Sequence, residues 1–137
     1  MSIKESLEKQ IMYCKSFPMY RCGIYIKRME KKDYIMDELK KLLFSDIMVT
    51  RVINSSFISE VHFENGSVIK IIRASDNARG HKNNGAIIDR KIDDETLRCI
   101  IMPSLIPRVI IEPVDDPHGY VREPWAEIEQ RILFCDM

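Results

Sequence analysis

The chain has 137 residues, of which 45% are hydrophobic and 31% charged, and its 21 basic and 21 acidic residues give a net charge of zero. These values are typical of one globular domain, and no apolar run approaches the ~20 residues of a membrane-spanning helix. The charged start lacks the apolar segment of a secretory signal, so we predict a cytoplasmic protein without a membrane partner. Four scattered cysteines and three isolated histidines show no zinc-binding spacing, and we expect reduced, mostly buried thiols.

The first half of the chain alternates helix and strand signals. Apolar residues at helical spacing predict an amphipathic helix over residues 3–15, which Pro18 prevents from continuing. Residues 23–26 are rich in β-formers and predict a buried strand, a second helix is predicted from Glu30 to about Phe44, and residues 48–53 predict another strand. This alternation is typical of a layered α/β domain.

A β-hairpin is the clearest local signal. Residues 57–63 and 67–72 form two runs of β-type residues around Glu64-Asn65-Gly66, and Asn-Gly supplies the positive φ angles of a tight turn. Alternation places Phe57 on the mainly apolar face of the first strand. His62 is expected to be a half-exposed residue of the sheet rather than a ligand.

Downstream of the hairpin, residues 86–88 predict a short central strand and Asp94-Glu95 start a helix that Pro103 bends or stops. Residues 108–111 predict a last strand. A turn-rich connector then leads to a short amphipathic helix over residues 123–134. We therefore divide the chain into an α/β core over residues 1–112 and an acidic connector with a short helix over residues 113–137.

The run from Ser75 to Asp89 carries the strongest functional signal. It is a polar, Gly-containing loop that leads into a short apolar strand ending in a carboxylate, the form of a phosphate or metal site at a sheet edge. The surrounding residues hold an excess of cations, which suits DNA phosphates, a nucleotide or an acidic protein surface. Against direct DNA binding, the loop contains no Phe, Tyr or Trp. The candidate polyanion- or partner-binding residues are Lys70, Arg73, Arg79, His81, Lys82, Arg90 and Lys91.

Simple ion pairing is the alternative for the charged residues of this run. Asp89 can pair with Arg90, Lys91 or Arg79, and Arg79 can equally pair with Asp76.

Taken in order, these elements resemble the ATPase core of phage terminase large subunits. The resemblance covers residues 2–111 and depends on the hairpin turn Phe63-Glu64-Asn65-Gly66-Ser67, the Arg79-Gly80 step and the strand Gly85-Ala86-Ile87-Ile88-Asp89 in the place of the family's Walker B strand. It implies a three-layer α/β fold with a mixed central sheet, derived from the RecA-like fold. In the family, a strand and a Gly-x-x-x-x-Gly-Lys-Ser/Thr loop precede the first helix, and this chain shows neither.

This departure from the family pattern weakens the case for catalysis. The phosphate loop supplies the backbone N–H groups, the lysine and the hydroxyl that position the phosphates and the magnesium ion. Asp89 alone is a weak metal candidate because Mg²⁺ takes its other ligands from substrate phosphates and water. Arg90 occupies the place of the family's catalytic glutamate and cannot act as a base at neutral pH. Asp94 or Glu95 would replace that glutamate only if the strand continued beyond Asp89.

The resemblance therefore implies a non-catalytic, phage-derived protein in the host cytoplasm, which acts by binding a protein partner or nucleic acid. Such a protein would be a packaging component or an inhibitor of a host defence system. The alternative is a nucleotide- or metal-binding subunit, or half of an ATPase, whose phosphate loop comes from another chain and which uses Mg²⁺ or nucleotide only with that chain. A missing strand would also leave an exposed sheet edge through which a homodimer can form.

Overall fold

A mixed six-stranded sheet forms the centre of the computed structural model, which describes residues 1–75, 78–110 and 121–137. The strands of this sheet are β1 (Arg21–Ile26), β2 (Val49–Asn54), β3 (Ser59–Phe63), β4 (Val68–Arg73), β5 (Gly85–Asp89) and β8 (Ile132–Cys135), and two short strands, β6 (Val109–Ile110) and β7 (Val121–Arg122), lie outside it. The strand order is β2-β3-β4-β1-β5-β8. Strands β4, β1, β5 and β8 run parallel to one another, β3 is antiparallel to β4, and β2 is antiparallel to β3.

Helical segments pack on both faces of this sheet. Helix α1 (Ile3–Ser16) and helix α2 (Lys32–Leu42), which follows a 3₁₀ turn at Met29–Lys31, bury one apolar cluster against the first face. The second face packs against a three-residue helix α3 (Asp94–Thr96), its π and 3₁₀ continuation through Ser104, and helix α4 (Trp125–Glu129). The predicted α/β class with a mixed central sheet is confirmed.

The connection between α1 and β1 is fastened by the hairpin turn. The Asn65 side-chain amide donates to the Cys14 carbonyl at 2.8 Å, and the Ser67 hydroxyl donates to the Phe17 carbonyl at 2.8 Å. These bonds satisfy carbonyls that the end of a helix leaves free. The turn also differs from the predicted geometry, because Gly66 alone has a positive φ, of 85°. The Gly66 N–H donates to the Phe63 carbonyl, as in a type I turn followed by a glycine bulge.

The end of the chain departs from prediction. The predicted helix over residues 123–134 is wrong beyond Glu129, because Ile132–Cys135 form strand β8 beside β5 in the main sheet. Strand β6 (Val109–Ile110) matches the predicted strand in position, yet it pairs with β7 (Val121–Arg122) in a separate two-stranded sheet. Most of the turn-rich connector lies outside the described residues.

A buried ion pair joins this C-terminal segment to the sheet. Arg131 and Glu123 have side chains that are each 4% exposed, and both nitrogens of the Arg131 guanidinium fork face the Glu123 carboxylate. Arg131 Nε also donates to the Asn84 carbonyl at 3.1 Å. The Arg108 N–H donates to Glu123 Oε1 at 2.8 Å. This network fixes the loop before β8 against the start of β5.

Candidate functional site

The second half of the Ser75–Asp89 run is structural. The Asn83 side chain donates to the Tyr25 hydroxyl at 2.9 Å, and the Asn84 side chain accepts from the Arg21 N–H at 3.0 Å and donates to the Ile106 carbonyl at 3.2 Å. Both asparagines are buried. These bonds anchor the loop to both neighbouring segments, so Asn83 and Asn84 are part of the fold rather than ligand-binding groups.

Gly85 is required by close packing. A Cβ at this position would collide with the Tyr20 hydroxyl, which donates to Gln10 Oε1 at 2.7 Å in a buried contact. The Gln10 amide in turn donates to the Arg131 carbonyl at 2.8 Å. The sequence pattern places this glycine in a strand motif, and the close approach of the tyrosine gives a physical reason for it.

Asp89 lies at the carboxyl end of β5 and is 3% exposed. It pairs in register with Cys135, a member of the apolar cluster under α1, so its side chain is on the α1 face of the sheet. Its Oδ1 accepts from the Lys91 N–H at 3.0 Å. Among the residues that the structure describes, Asp89 has no ion pair with Arg79, Arg90 or Lys91. The expected pairing of Arg79 with Asp76 lies outside those residues.

Strand β5 ends at Asp89, and Asp94 and Glu95 lie in the first turn of α3. The strand therefore does not extend to Asp94 or Glu95. Neither residue takes the place of the catalytic glutamate, a position that Arg90 occupies in this chain. Within the described ranges, no group of three or more His, Cys, Asp or Glu side chains is placed to hold a metal ion.

Three of the seven candidate cations lie at the carboxyl edge of the parallel strands. Arg73 ends β4 in register with Ile26 of β1, and Arg90 and Lys91 follow β5 directly. Lys27 and Arg28, which sequence reasoning missed, extend this group from the end of β1 and line an open depression of about 440 Å³ together with Arg73. Ligands of open α/β sheets characteristically bind at this edge. Lys27 could have been identified from the sequence, because it directly follows Ile26 at the end of β1.

The other four candidates lie on the second face of the sheet. Lys70 is on β4, and Arg79, His81 and Lys82 are on the loop between β4 and β5. They line two adjoining depressions of about 100 and 160 Å³, and His81 borders both of them. A third depression, of about 220 Å³, adjoins the second at Arg79 and Cys99. We call this chain of three depressions the basic groove.

Phe57 is the residue of the basic groove that sequence reasoning placed incorrectly. It was expected on the apolar face of the first hairpin strand, but β3 begins only at Ser59 and Phe57 is 96% exposed. Phe57 borders the same depression as Lys70 and His81. The structure thus adds an aromatic ring to a cationic loop that has none of its own.

Electrostatics within the basic groove centre on His81. Burial is the largest influence and lowers its pKa, and the positive charge of Lys70 lowers the pKa further, while Glu60 opposes them. His81 is therefore neutral at pH 7, and the permanent cations are Lys70, Arg79 and Lys82. Glu60 is bonded to His62 at 3.0 Å, and His62 is a half-buried sheet residue, as predicted. Arg79 donates to the Cys99 carbonyl at 3.4 Å.

Three of the four cysteines are buried, and Cys99 is exposed. Burial raises the pKa values of Cys14, Cys22 and Cys135, which keeps these thiols protonated and inert. The expectation of free, mostly buried thiols is confirmed. In the parts of the chain that the structure describes, no helix has the length and apolar character needed to cross a membrane.

Comparisons of this chain with protein-family models, curated proteins and solved structures give no significant match.

Proposed function

We propose that this chain is a binding protein without catalytic machinery of its own, built on a terminase-like α/β core, and that its basic groove holds a polyanionic partner. The observation that carries the proposal is the convergence of Lys70, Arg79 and Lys82 on one groove. These cations come from a strand and from a loop that is pinned at Asn83 and Asn84. A pinned loop loses less conformational entropy when it binds a partner.

The proposed terminase relationship is supported by the order of elements. Helix α1, strand β1, helix α2, the hairpin and the Asp89-ending strand occur in the expected sequence, and β5 lies directly beside β1. A phage-encoded packaging component or an inhibitor of a host defence system is consistent with such a core. Both roles require a surface that binds a partner, and neither requires phosphoryl transfer.

Two sets of charge variants test the proposed groove. The groove set is Lys70→Gln/Arg79→Gln/Lys82→Gln, and the control set is Lys27→Gln/Arg73→Gln/Arg90→Gln at the carboxyl edge, with the same change in net charge. Binding to labelled oligonucleotides and to labelled poly-glutamate is measured by fluorescence anisotropy over a range of salt concentrations. We expect the groove set to weaken polyanion binding at least tenfold, since each neutralised phosphate contact contributes to the salt dependence.

The control set should change the affinity by less than threefold, because its cations lie at the carboxyl edge of the sheet and border none of the three depressions of the basic groove. Equal weakening by both sets would contradict the proposed groove. Such a result would show that polyanion binding depends only on the total charge of the protein.

The second candidate function is that of a nucleotide-binding subunit, and one observation favours it. Asp89 is buried at the carboxyl end of β5, on the face that α1 covers, which is where the resemblance would put a metal-binding carboxylate. Isothermal titration with magnesium-ATP tests this function. Micromolar binding that Asp89→Ala abolishes would support it and would contradict a purely non-catalytic binding role.

A further inference from the structure

We propose that the basic groove binds single-stranded nucleic acid, with a base stacked on Phe57 and the backbone phosphates contacting Lys70, Arg79 and Lys82. This inference rests on the proposed function and names its ligand class. Single strands are bound by grooves that combine cations along the backbone path with aromatic rings on which bases stack. Both components border the first depression of the basic groove, where Phe57 and Lys70 occur together.

Phe57 is held in a turn that suits it to stacking. The Ser55 N–H donates to the Ile58 carbonyl at 2.8 Å, and the Ser55 hydroxyl oxygen accepts from the N–H groups of Phe57 and Ile58 at 3.3 and 3.0 Å. This Ser55-centred turn orders the backbone that carries an almost fully exposed ring. An aromatic side chain has few rotatable bonds, so it provides contact area at a low entropic cost.

The groove continues away from Phe57 along a row of cations. His81 joins the first depression to the second, which Lys82 also borders, and Arg79 joins the second to the third. A strand that follows this path meets a permanent cation in each depression. Two carboxylates, Glu60 and Glu95, also border the path. Glu60 lies in register with Lys70 on the neighbouring strand and offsets part of the positive charge of the first depression.

Shape and chemistry favour a single strand over the other polyanions. The three depressions hold about 100, 160 and 220 Å³, and the cations border these hollows rather than a broad flat surface. In a duplex the bases are paired and stacked on one another, so a base cannot lie on Phe57 without leaving the helix. An acidic protein could also pack an apolar side chain on the ring, and the comparison with poly-glutamate in the test below separates attraction to the cations from stacking on Phe57.

The test compares two exposed phenylalanines. Phe57→Ala removes the ring from the basic groove, and Phe44→Ala is the control, because Phe44 is 85% exposed beyond the end of α2 and borders none of the three depressions. Anisotropy titrations use labelled oligo(dT) and oligo(U), a duplex of the same length and poly-glutamate. Stacking is worth about 1–3 kcal/mol per base, so Phe57→Ala should weaken oligo(dT) binding roughly 5- to 150-fold, whereas Phe57→Trp should preserve it.

Each outcome decides a different point. Oligo(dT) binding that depends on Phe57 and is tighter than duplex binding supports the inference. Equal affinities of the Phe57→Ala and Phe44→Ala variants overturn it. Tighter binding of the duplex or of poly-glutamate also overturns it. In these cases a loss of binding in the groove charge set would leave the proposed function intact. Failure of every polyanion to bind the wild-type chain would contradict both proposals.

Discussion

The buried pair of Glu123 and Arg131 allows a quantitative prediction about stability. Glu123→Gln keeps the size of the side chain and one acceptor oxygen for the Arg108 N–H, but it removes the negative charge. The Arg131 side chain, which is 4% exposed, then lacks its counter-ion, and one of its two guanidinium nitrogens faces an amide NH₂ group, which cannot accept a hydrogen bond. Its Nε bond to the Asn84 carbonyl remains. An uncompensated buried charge is the reason to expect a large effect.

Breaking one side of a buried pair costs about 3–5 kcal/mol. A chain of 137 residues has a free energy of unfolding of about 7–20 kcal/mol at typical values per residue. Glu123→Gln should therefore remove a large share of the stability. The double variant Glu123→Gln/Arg131→Met removes both charges, and we expect it to be more stable than the two single losses added together by about 2 kcal/mol or more.

Urea unfolding followed by circular dichroism measures these differences. Glu38→Gln is the matched control, because Glu38 forms a 3.3 Å pair with Lys41, whose side chain is 74% exposed, and such pairs are worth about 0–1 kcal/mol. A loss below about 1 kcal/mol for Glu123→Gln would refute the buried-pair argument. Additive losses in the double variant would refute it as well, because they would show that the two charges do not interact.

Three further predictions concern packing, thiol chemistry and pH. Gly85→Ala should lower the free energy of unfolding by about 1–3 kcal/mol through overpacking against Tyr20, and an unchanged urea midpoint would show that this contact is not close. Ellman's reagent should modify only Cys99 rapidly in the folded protein, with the other three thiols reacting on unfolding; a second fast thiol would contradict their burial. Because burial and Lys70 lower the His81 pKa, the folded protein should lose stability as the pH falls from about 6.5 through that pKa. Oligo(dT) binding should tighten over the same interval, since protonation adds a cation to the groove, and His81→Gln should abolish the pH dependence seen in anisotropy titrations.

Local signals were sufficient for the first two-thirds of the fold. The helix over residues 3–15, the strand at 23–26 and the hairpin around Gly66 follow from periodicity, from Pro18 and from turn chemistry, which act between near neighbours. The structure places these elements within a few residues of their predicted bounds. The turn itself differs from prediction, since Asn65 does not share the positive φ of Gly66, and the Asn65 side chain bonds instead to the end of α1.

Longer-range pairing explains the errors. The apolar residues at 128, 132 and 133 fit a helical pattern, yet α4 ends at Glu129 and the chain then adds β8 to β5. With Trp125 the helical signal has only four positions, and strand pairing over more than forty residues of sequence outweighs it. Phe57 was misplaced for a related reason, because alternation cannot locate the residue at which a strand begins.

The sequence predicted which cations belong to the candidate site, but it did not predict how they are arranged in space. All seven cations were identified from their density in the sequence. In the structure, alternation along β4 and the path of the loop that follows it place some of them at the carboxyl edge and the others in the basic groove. Phe57 reaches the groove from a different turn, and no linear pattern connects residue 57 with residue 81.

The residues of the Ser75–Asp89 run have different roles, and these roles determine what each variant can show. Asn83, Asn84 and Gly85 hold the loop to the sheet, so their replacement changes stability and binding together and cannot identify a ligand. Arg79 and Lys82 are exposed, and replacement of exposed charges usually changes stability by less than about 0.5 kcal/mol. A loss of binding in Arg79→Gln or Lys82→Gln with an unchanged urea midpoint is therefore attributable to the ligand contact itself. The same loss accompanied by a shifted midpoint would instead show that these cations support the loop.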